Sequence, residues 1–234
     1  MKNDGIIQTA NSKQQTANSK QHTANSKQQT ANSKQHNYLF HLSRIFRYIK
    51  RKVISIFRFY LIYIKKVEWK DVEHFSDSWK ERISAMASLI PENKKTVLDV
   101  GCGKMWLREF LNENVVYYGM DYVKRNDDTI VCNLNNREFT DMKFDVVFCS
   151  GVIEYIHEEN LSWFFEKIHE TASVFIVSYN TRDNVPSIHR RKMNCWKNHM
   201  YHEEFINMVE SSGFRLDALA EKVAGNEIFR FCSL

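Results

Sequence analysis

The sequence predicts an α/β fold: a doubly wound, mostly parallel seven-stranded sheet that closes on a C-terminal antiparallel hairpin. Three observations carry this. From about residue 70, short β-branched and aromatic runs alternate with segments whose apolar residues recur every three or four positions. The first apolar run ends in a glycine pair, Gly101-Cys102-Gly103. The 234 residues include only 7 Gly and 2 Pro, too few for an all-β sandwich built from many tight turns.

Two segments precede the domain assigned to 70–234. Residues 1–37 form a low-complexity arm, in which 8–35 are four copies of a heptapeptide, Q/H-T-A-N-S-K-Q. A coiled coil needs apolar a and d positions. Ala is the only apolar residue per unit, so the arm is expected to be disordered. Residues 38–69 read as a basic amphipathic helix. Leu42, Ile45, Phe46, Ile49, Val53, Ile56, Phe57, Tyr60 and Ile64 make one stripe, flanked by eight Lys or Arg and no acid. Ser55 and Arg58 break the apolar run, which is shorter than the ~20 residues that span a bilayer. An anionic membrane surface is the expected partner; packing of the stripe on the domain is the alternative.

Within the domain the expected strands are 96–100, 115–121, 129–132, 144–149, 173–179, 214–221 and 227–232. The expected helices are 76–89, 105–112, 161–171 and 202–212. The last two strands are close enough in sequence to form the hairpin.

Charge is distributed unevenly: +4 over 1–36, +8 over 37–66 and −7 over 67–234. The part able to hold a core is acidic, which argues against a nucleic-acid partner. The five Cys (102, 132, 149, 195 and 232) are odd in number and lack any CxxC, arguing against a disulfide framework or zinc ribbon and for a reducing compartment. The N-terminus has no secretory leader pattern. His189, Cys195, His199 and His202 match no zinc spacing, and no metal is expected.

In open α/β sheets, ligands bind beyond the carboxyl ends of the strands, at the switch point. The first such end is Val97-Leu98-Asp99-Val100-Gly101-Cys102-Gly103. A dinucleotide fingerprint needs Gly at its sixth position, where this chain has Trp106. Asp99 is out of place beside a pyrophosphate and suits a ligand with an ammonium group. Asp121 ends the second strand, where a carboxylate can take both hydroxyls of a ribose.

With VLDVGCG (97–103), YYGMDY (117–122) and FDVVFCSGVIEYI (144–156), the chain resembles the class I S-adenosylmethionine-dependent methyltransferases over about residues 75–234. HFSDSWKERI (74–83) looks like the helix preceding the first motif in methyltransferases of bacterial surface-polysaccharide clusters. The resemblance implies a Rossmann-like fold and S-adenosylmethionine as cofactor. Asp99, Gly101 and Gly103 would hold its methionine end. Asp121 would hold the ribose, Tyr122, Cys132, Asn133 and Leu134 the adenine, and Ser150 and Gly151 would lie beside the sulfonium. Separately from the resemblance, Arg82 and Trp79 either close over the cofactor carboxylate or are a buried aromatic beside a surface Arg. Two positions depart from the family pattern. Met105 replaces the third Gly, which is expected to tighten the loop, and Ile153-Glu154-Tyr155 stands where Leu-Glu-His is frequent.

Methyl transfer to a hydroxyl needs a base near neutral pH. His157 is the first choice by intrinsic pKa, with Glu154 about one helical turn before it; the alternative is that His157 only caps a helix or faces water. Residues 184–202 read as an acceptor-binding lid, in which Arg190, Arg191 and Lys192 either meet an anionic acceptor or stay solvated. The heptapeptide is what the seven bases CAAACAG encode when repeated: CAA ACA GCA AAC AGC AAA CAG. Slippage in such a tract would switch expression off and on. Such switches resemble the phase-variable loci of bacteria that modify surface glycans. The expected function is therefore O-methylation of a sugar in a surface polysaccharide or its lipid-linked precursor, at the inner face of the cytoplasmic membrane. A lipid, small metabolite or protein acceptor, or a non-catalytic scaffold, is the alternative.

Overall fold

The computed structural model describes residues 45–53, 56 and 68–234. The repeat arm, and the expected basic helix outside 45–53 and 56, lie outside these residues. The chain divides into two units, Met1–Arg58 and Phe59–Leu234, and the sheet belongs to the second. In the first, 45–53 are helical, with Ile45, Phe46, Ile49, Val53 and Ile56 all more than half exposed. Among the described residues no helix is long and apolar enough to cross a membrane.

Seven strands form one sheet: β1 (Thr96–Val100), β2 (Val116–Asp121), β3 (Ile130–Val131), β4 (Phe144–Ser150), β5 (Ala172–Tyr179), β6 (Phe214–Val223) and β7 (Asn226–Ser233). Their order is β3-β2-β1-β4-β5-β7-β6. The first five run parallel, and β7 inserts antiparallel beside β5, with Tyr179 opposite Glu227. Ala224 and Gly225, both at positive φ, turn the β6–β7 hairpin. This is the expected α/β class, Rossmann-like with a terminal hairpin.

The inner strands are apolar on both faces over most of their length because both faces are covered. Val97, Leu98 and Val100 of β1 and Val146 to Cys149 of β4 are at most 1% exposed. One face is packed by α2 (Leu161–Thr171) and α4 (His202–Glu210), through Leu161, Phe164, Phe165, Ile168, Phe205 and Val209. The other is packed by α1 (Trp79–Ala87), through Met86, together with Leu107. On the edge strand β6, exposed positions alternate with partly buried ones over most of its length, as expected when one face meets water.

Two elements differ from expectation. The helix expected over 105–112 is a 3-10 helix, Trp106–Phe110. Met105 starts it in the left-handed region (φ 58°, ψ 30°) and Leu111 ends it extended, leaving too few residues to nucleate an α-helix. Within the expected lid lies a short helix, α3 (Ile188–Met193), opened by Ser187, whose Oγ accepts from Arg190 N.

Candidate active site

The sheet reverses its winding between β1 and β4, and the carboxyl ends of β1, β2, β4 and β5 border one cavity of about 500 Å³. Gly101 and Gly103 make the floor possible. Both have positive φ, and a Cβ would lie 2.2 Å from Val152 Cγ2 at Gly101 and 2.5 Å from Phe75 Cε2 at Gly103. Only a residue without a side chain passes between β1 and those neighbours. Met105 adopts the backbone conformation that glycine would favour, at a cost of ~1–2 kcal/mol. Its sulfur meets Asn126 Nδ2 at 3.6 Å, and it is not among the cavity-lining residues. The expected tightening is thus absorbed in the backbone.

Two buried carboxylates sit at one end. Asp99 is 5% exposed and accepts from Tyr117 Oη at 2.8 Å. Burial pushes its carboxyl up to about 7; the Tyr117 hydrogen bond opposes this, and the nearby Asp121 charge adds to it. Burial likewise pushes the Cys102 thiol up to about 12 and raises that of Cys132. Asp121 Oδ2 accepts from Gly103 N and Arg125 Nε, both at 3.1 Å. Its Oδ1 accepts from Val123 N at 3.2 Å and Arg125 Nη2 at 3.3 Å.

Glu154 borders the cavity beyond β4 and is 2% exposed. Its Oε1 accepts from Asn180 N at 2.9 Å, whereas Oε2 is buried without a hydrogen-bond partner. Arg82, on α1, donates from Nε to Ser150 Oγ at 3.0 Å, with its guanidinium 5.9 Å from the Trp79 ring. Burial lowers its pKa, and the Glu154 charge opposes the shift.

All the residues expected to bind cofactor line this cavity: Arg82, Asp99, Gly101, Gly103, Asp121, Tyr122, Cys132, Asn133, Leu134, Ser150 and Gly151. Asn133 also caps a turn, its Oδ1 accepting from Asn135 N at 3.1 Å. The choice of His157 requires correction. His157 is not among the lining residues; its ring is 44% exposed and lies 3.8 Å from Glu159. Its N–H donates to Asn135 Oδ1 as the chain enters a 3-10 helix, so it turns outward at a cap position.

The segment over 184–202 is held at many points. Arg191 is fully buried, donating to Asn180 O at 2.6 Å, Tyr179 Oη at 3.0 Å and His199 Nδ1 at 3.1 Å, with the Trp196 ring 4.7 Å away. Arg190 and Lys192 are exposed and do not line the cavity; Cys195, Trp196 and Lys197 do. His202 pairs with Glu227, which also accepts from Asn184 and Thr181. Of the four residues considered for zinc spacing, Cys195, His199 and His202 therefore have separate roles, and His189 is exposed. Among the described residues no group of His, Cys, Asp and Glu is arranged to hold a metal.

Sequence reasoning missed the aromatic roof and Arg125. Trp69, one residue before the expected domain start, lies 6.1 Å from Trp79, 5.2 Å from Tyr155 and 5.9 Å from Phe75, ring to ring. The cue was present as an aromatic at 69, 75 and 79, but these positions show no regular period.

A family model described as "Methyltransferase domain" matches residues 69–219. Three solved structures share the fold. The first is a methyltransferase solved in complex with the Haloferax volcanii Trm112 methyltransferase activator (15% identity, 72% of this chain and 95% of that chain, TM-score 0.59). The second is the magnesium protoporphyrin IX methyltransferase of Synechocystis PCC 6803 with S-adenosylhomocysteine bound (13%, 67% and 84%, TM-score 0.54). The third is a methyltransferase of calicheamicin biosynthesis, also with S-adenosylhomocysteine bound (12%, 66% and 54%, TM-score 0.54). Among curated proteins nothing matches.

Proposed function

The chain belongs to the family of that methyltransferase domain, the S-adenosylmethionine-dependent methyltransferases, and from this premise we propose that it methylates a sugar hydroxyl of a bacterial surface polysaccharide or its lipid-linked precursor. The observation that carries the acceptor reading is Glu154 Oε2, a buried oxygen without a partner in the cavity that also holds Asp99 and Asp121. Leaving such an oxygen unsatisfied costs ~1–3 kcal/mol, which a donor on the acceptor would offset.

The cavity fits the cofactor: a glycine floor at the end of β1, and buried carboxylates suited to an ammonium and a diol. When bound, S-adenosylmethionine supplies the electrophilic methyl group. Asp99 would hold the ammonium and Asp121 the ribose hydroxyls. Tyr122, Cys132, Asn133 and Leu134 would border the adenine. Gly101, Gly103, Ser150 and Gly151 would let the backbone lie close to the reacting end, with Arg82 bracing Ser150. Glu154, fixed by Asn180, would orient the acceptor hydroxyl and receive its proton. Phe75, Trp79, Tyr155 and Trp196 would exclude water and offer flat apolar faces to a sugar ring.

The basic helix supports a place at the membrane. Its exposed apolar side chains and the +8 charge of 37–66 suit an anionic surface such as the inner leaflet. A CAAACAG tract encoding the heptapeptide would support switched expression; unrelated codons in the repeat would remove that support. The test compares surface glycans by mass spectrometry from cells with the gene intact, deleted, or carrying Glu154→Gln. A methyl ether present only with the intact gene supports the reading; identical glycans from all three refute it.

A further inference from the structure

Asp121, the carboxylate assigned to the cofactor ribose, has its acceptor capacity filled by the protein itself. A carboxylate offers about four lone-pair sites. Gly103 N and Val123 N take one each, and Arg125 takes the other two through Nε and Nη2. The pair is enclosed, with the Arg125 side chain 7% and that of Asp121 4% exposed. Two ribose hydroxyls therefore need two of these donors to leave. The backbone N–H groups are fixed by the glycine loop and the turn after β2. Only the guanidinium, at the end of a flexible side chain, can withdraw.

Arg125 has a second attachment. Its Nη1 donates to Lys70 O at 2.7 Å and its Nη2 to Trp69 O at 2.8 Å. These carbonyls belong to the 3-10 helix Glu68–Lys70, whose Trp69 ring packs on Trp79 and Tyr155 in the roof of the same cavity. One guanidinium thus bridges the ribose-binding carboxylate and the roof, and it cannot leave the first while holding its geometry on the second.

We propose that Arg125 is a displaceable latch: it occupies the ribose-binding carboxylate and ties the backbone of 69–70 to it, so that cofactor loading and release of that roof segment are one competitive event. The inference rests on Asp121 being the ribose-binding group. It makes Arg125 a positioning residue that sets cofactor affinity, and it fixes an unusual sign. Removing a charged, well-hydrogen-bonded residue from the site should strengthen binding, because the ligand no longer competes with it.

The test is calorimetric titration of S-adenosylhomocysteine into the full-length chain, wild type beside Arg125→Met, Arg125→Lys and Asp121→Asn, with melting curves to establish folding. Arg125→Met is expected to bind about tenfold more tightly, equivalent to about 1.4 kcal/mol. Arg125→Lys, whose single ammonium cannot bridge carboxylate and both carbonyls, should change in the same direction by less. Limited trypsin digestion gives an independent readout at the exposed Lys70. The ligand should accelerate cleavage there in the wild type, and the Met variant should be cut faster without ligand.

A folded Arg125→Met that binds equally or more weakly overturns the latch, as does protection of Lys70 by ligand in the wild type. The second measurement decides the matter if neither Arg125 variant folds. Asp121→Asn separates the two readings. Loss of binding there, together with loss in Arg125→Met, leaves the ribose assignment standing and removes only the latch. Unchanged binding in Asp121→Asn removes both, and no binding by wild type or Arg125→Met removes the latch.

Discussion

Replacing Asp99 with Asn should stabilise the protein while weakening its site, and the size of the gain should depend on pH. The carboxyl is held at about 7 in the fold, against the ordinary 3.8, mainly by burial. The folded-state value is the raised one, so the fold incurs no penalty below the unfolded value. The penalty grows as pH rises from about 4 and levels off above about 7. Three pH units correspond to ~4 kcal/mol at the plateau. By about pH 5 only ~1.5 kcal/mol of this is present.

Asn keeps an oxygen to accept from Tyr117 Oη but brings an N–H2 that needs a partner, a fixed cost of ~1–2 kcal/mol. That cost cancels when the same variant is compared at two pH values. Relative to wild type, Asp99→Asn should therefore gain ~2–3 kcal/mol between about pH 5 and pH 8. The measurement is urea unfolding of both full-length proteins at each pH, reading the midpoint at constant slope. At about pH 8 a net gain of ~2–3 kcal/mol would raise the melting temperature by several degrees. S-adenosylhomocysteine, whose ammonium would lose its counter-charge, should bind at least about tenfold more weakly to the variant. Wild-type binding should strengthen as pH rises through about 7 and the variant's should not. Parallel stability curves for the two proteins across this pH range would refute the reasoning.

Glu154→Gln should leave binding of S-adenosylhomocysteine within about twofold of wild type but lower turnover by about 10²–10⁴-fold, measured as methyl transfer to the acceptor. Gly101→Ala places a methyl 2.2 Å from Val152 Cγ2 at φ 72°, so calorimetry should detect no binding, and the melting temperature should fall by several degrees. Changing Lys50, Arg51 and Lys52 to Gln should weaken association with phosphatidylserine-containing vesicles by ~1 kcal/mol per charge in a flotation assay, without changing the weaker association with neutral vesicles.

The central sheet was readable because strands buried on both faces leave short, mainly apolar runs without a two-residue alternation. Val97–Val100, Phe144–Cys149 and Ser173–Tyr179 could be little else. The cavity floor was readable for a related reason. A strand ending in Gly101 and Gly103 with acids at fixed offsets is a local pattern, and local patterns survive in sequence. What escaped depended on contacts between distant segments. His157 had the right intrinsic chemistry, but the turn at Val152–Ile156 directs it outward and turns Glu154 inward. Arg191 looked like one of three equivalent surface cations until α3 placed it under the segment, against Tyr179 and Asn180. Arg125 follows Asp121 by four residues outside any helix, so no periodicity marked it. The expected helix over 105–112 failed because the glycine loop imposes its backbone geometry on Met105.

The thiols of the cavity bear on chemical self-compatibility. A thiolate is a far better nucleophile than a sugar hydroxyl, and a compartment holding an activated methyl group would alkylate any thiolate within reach. Cys102 and Cys132 both line the cavity, and both are pushed upward by the apolar surroundings that shape it, Cys102 to about 12. At cellular pH they remain protonated sulfur, space-filling and inert. The burial that raises Asp99 thus also holds these two thiols protonated.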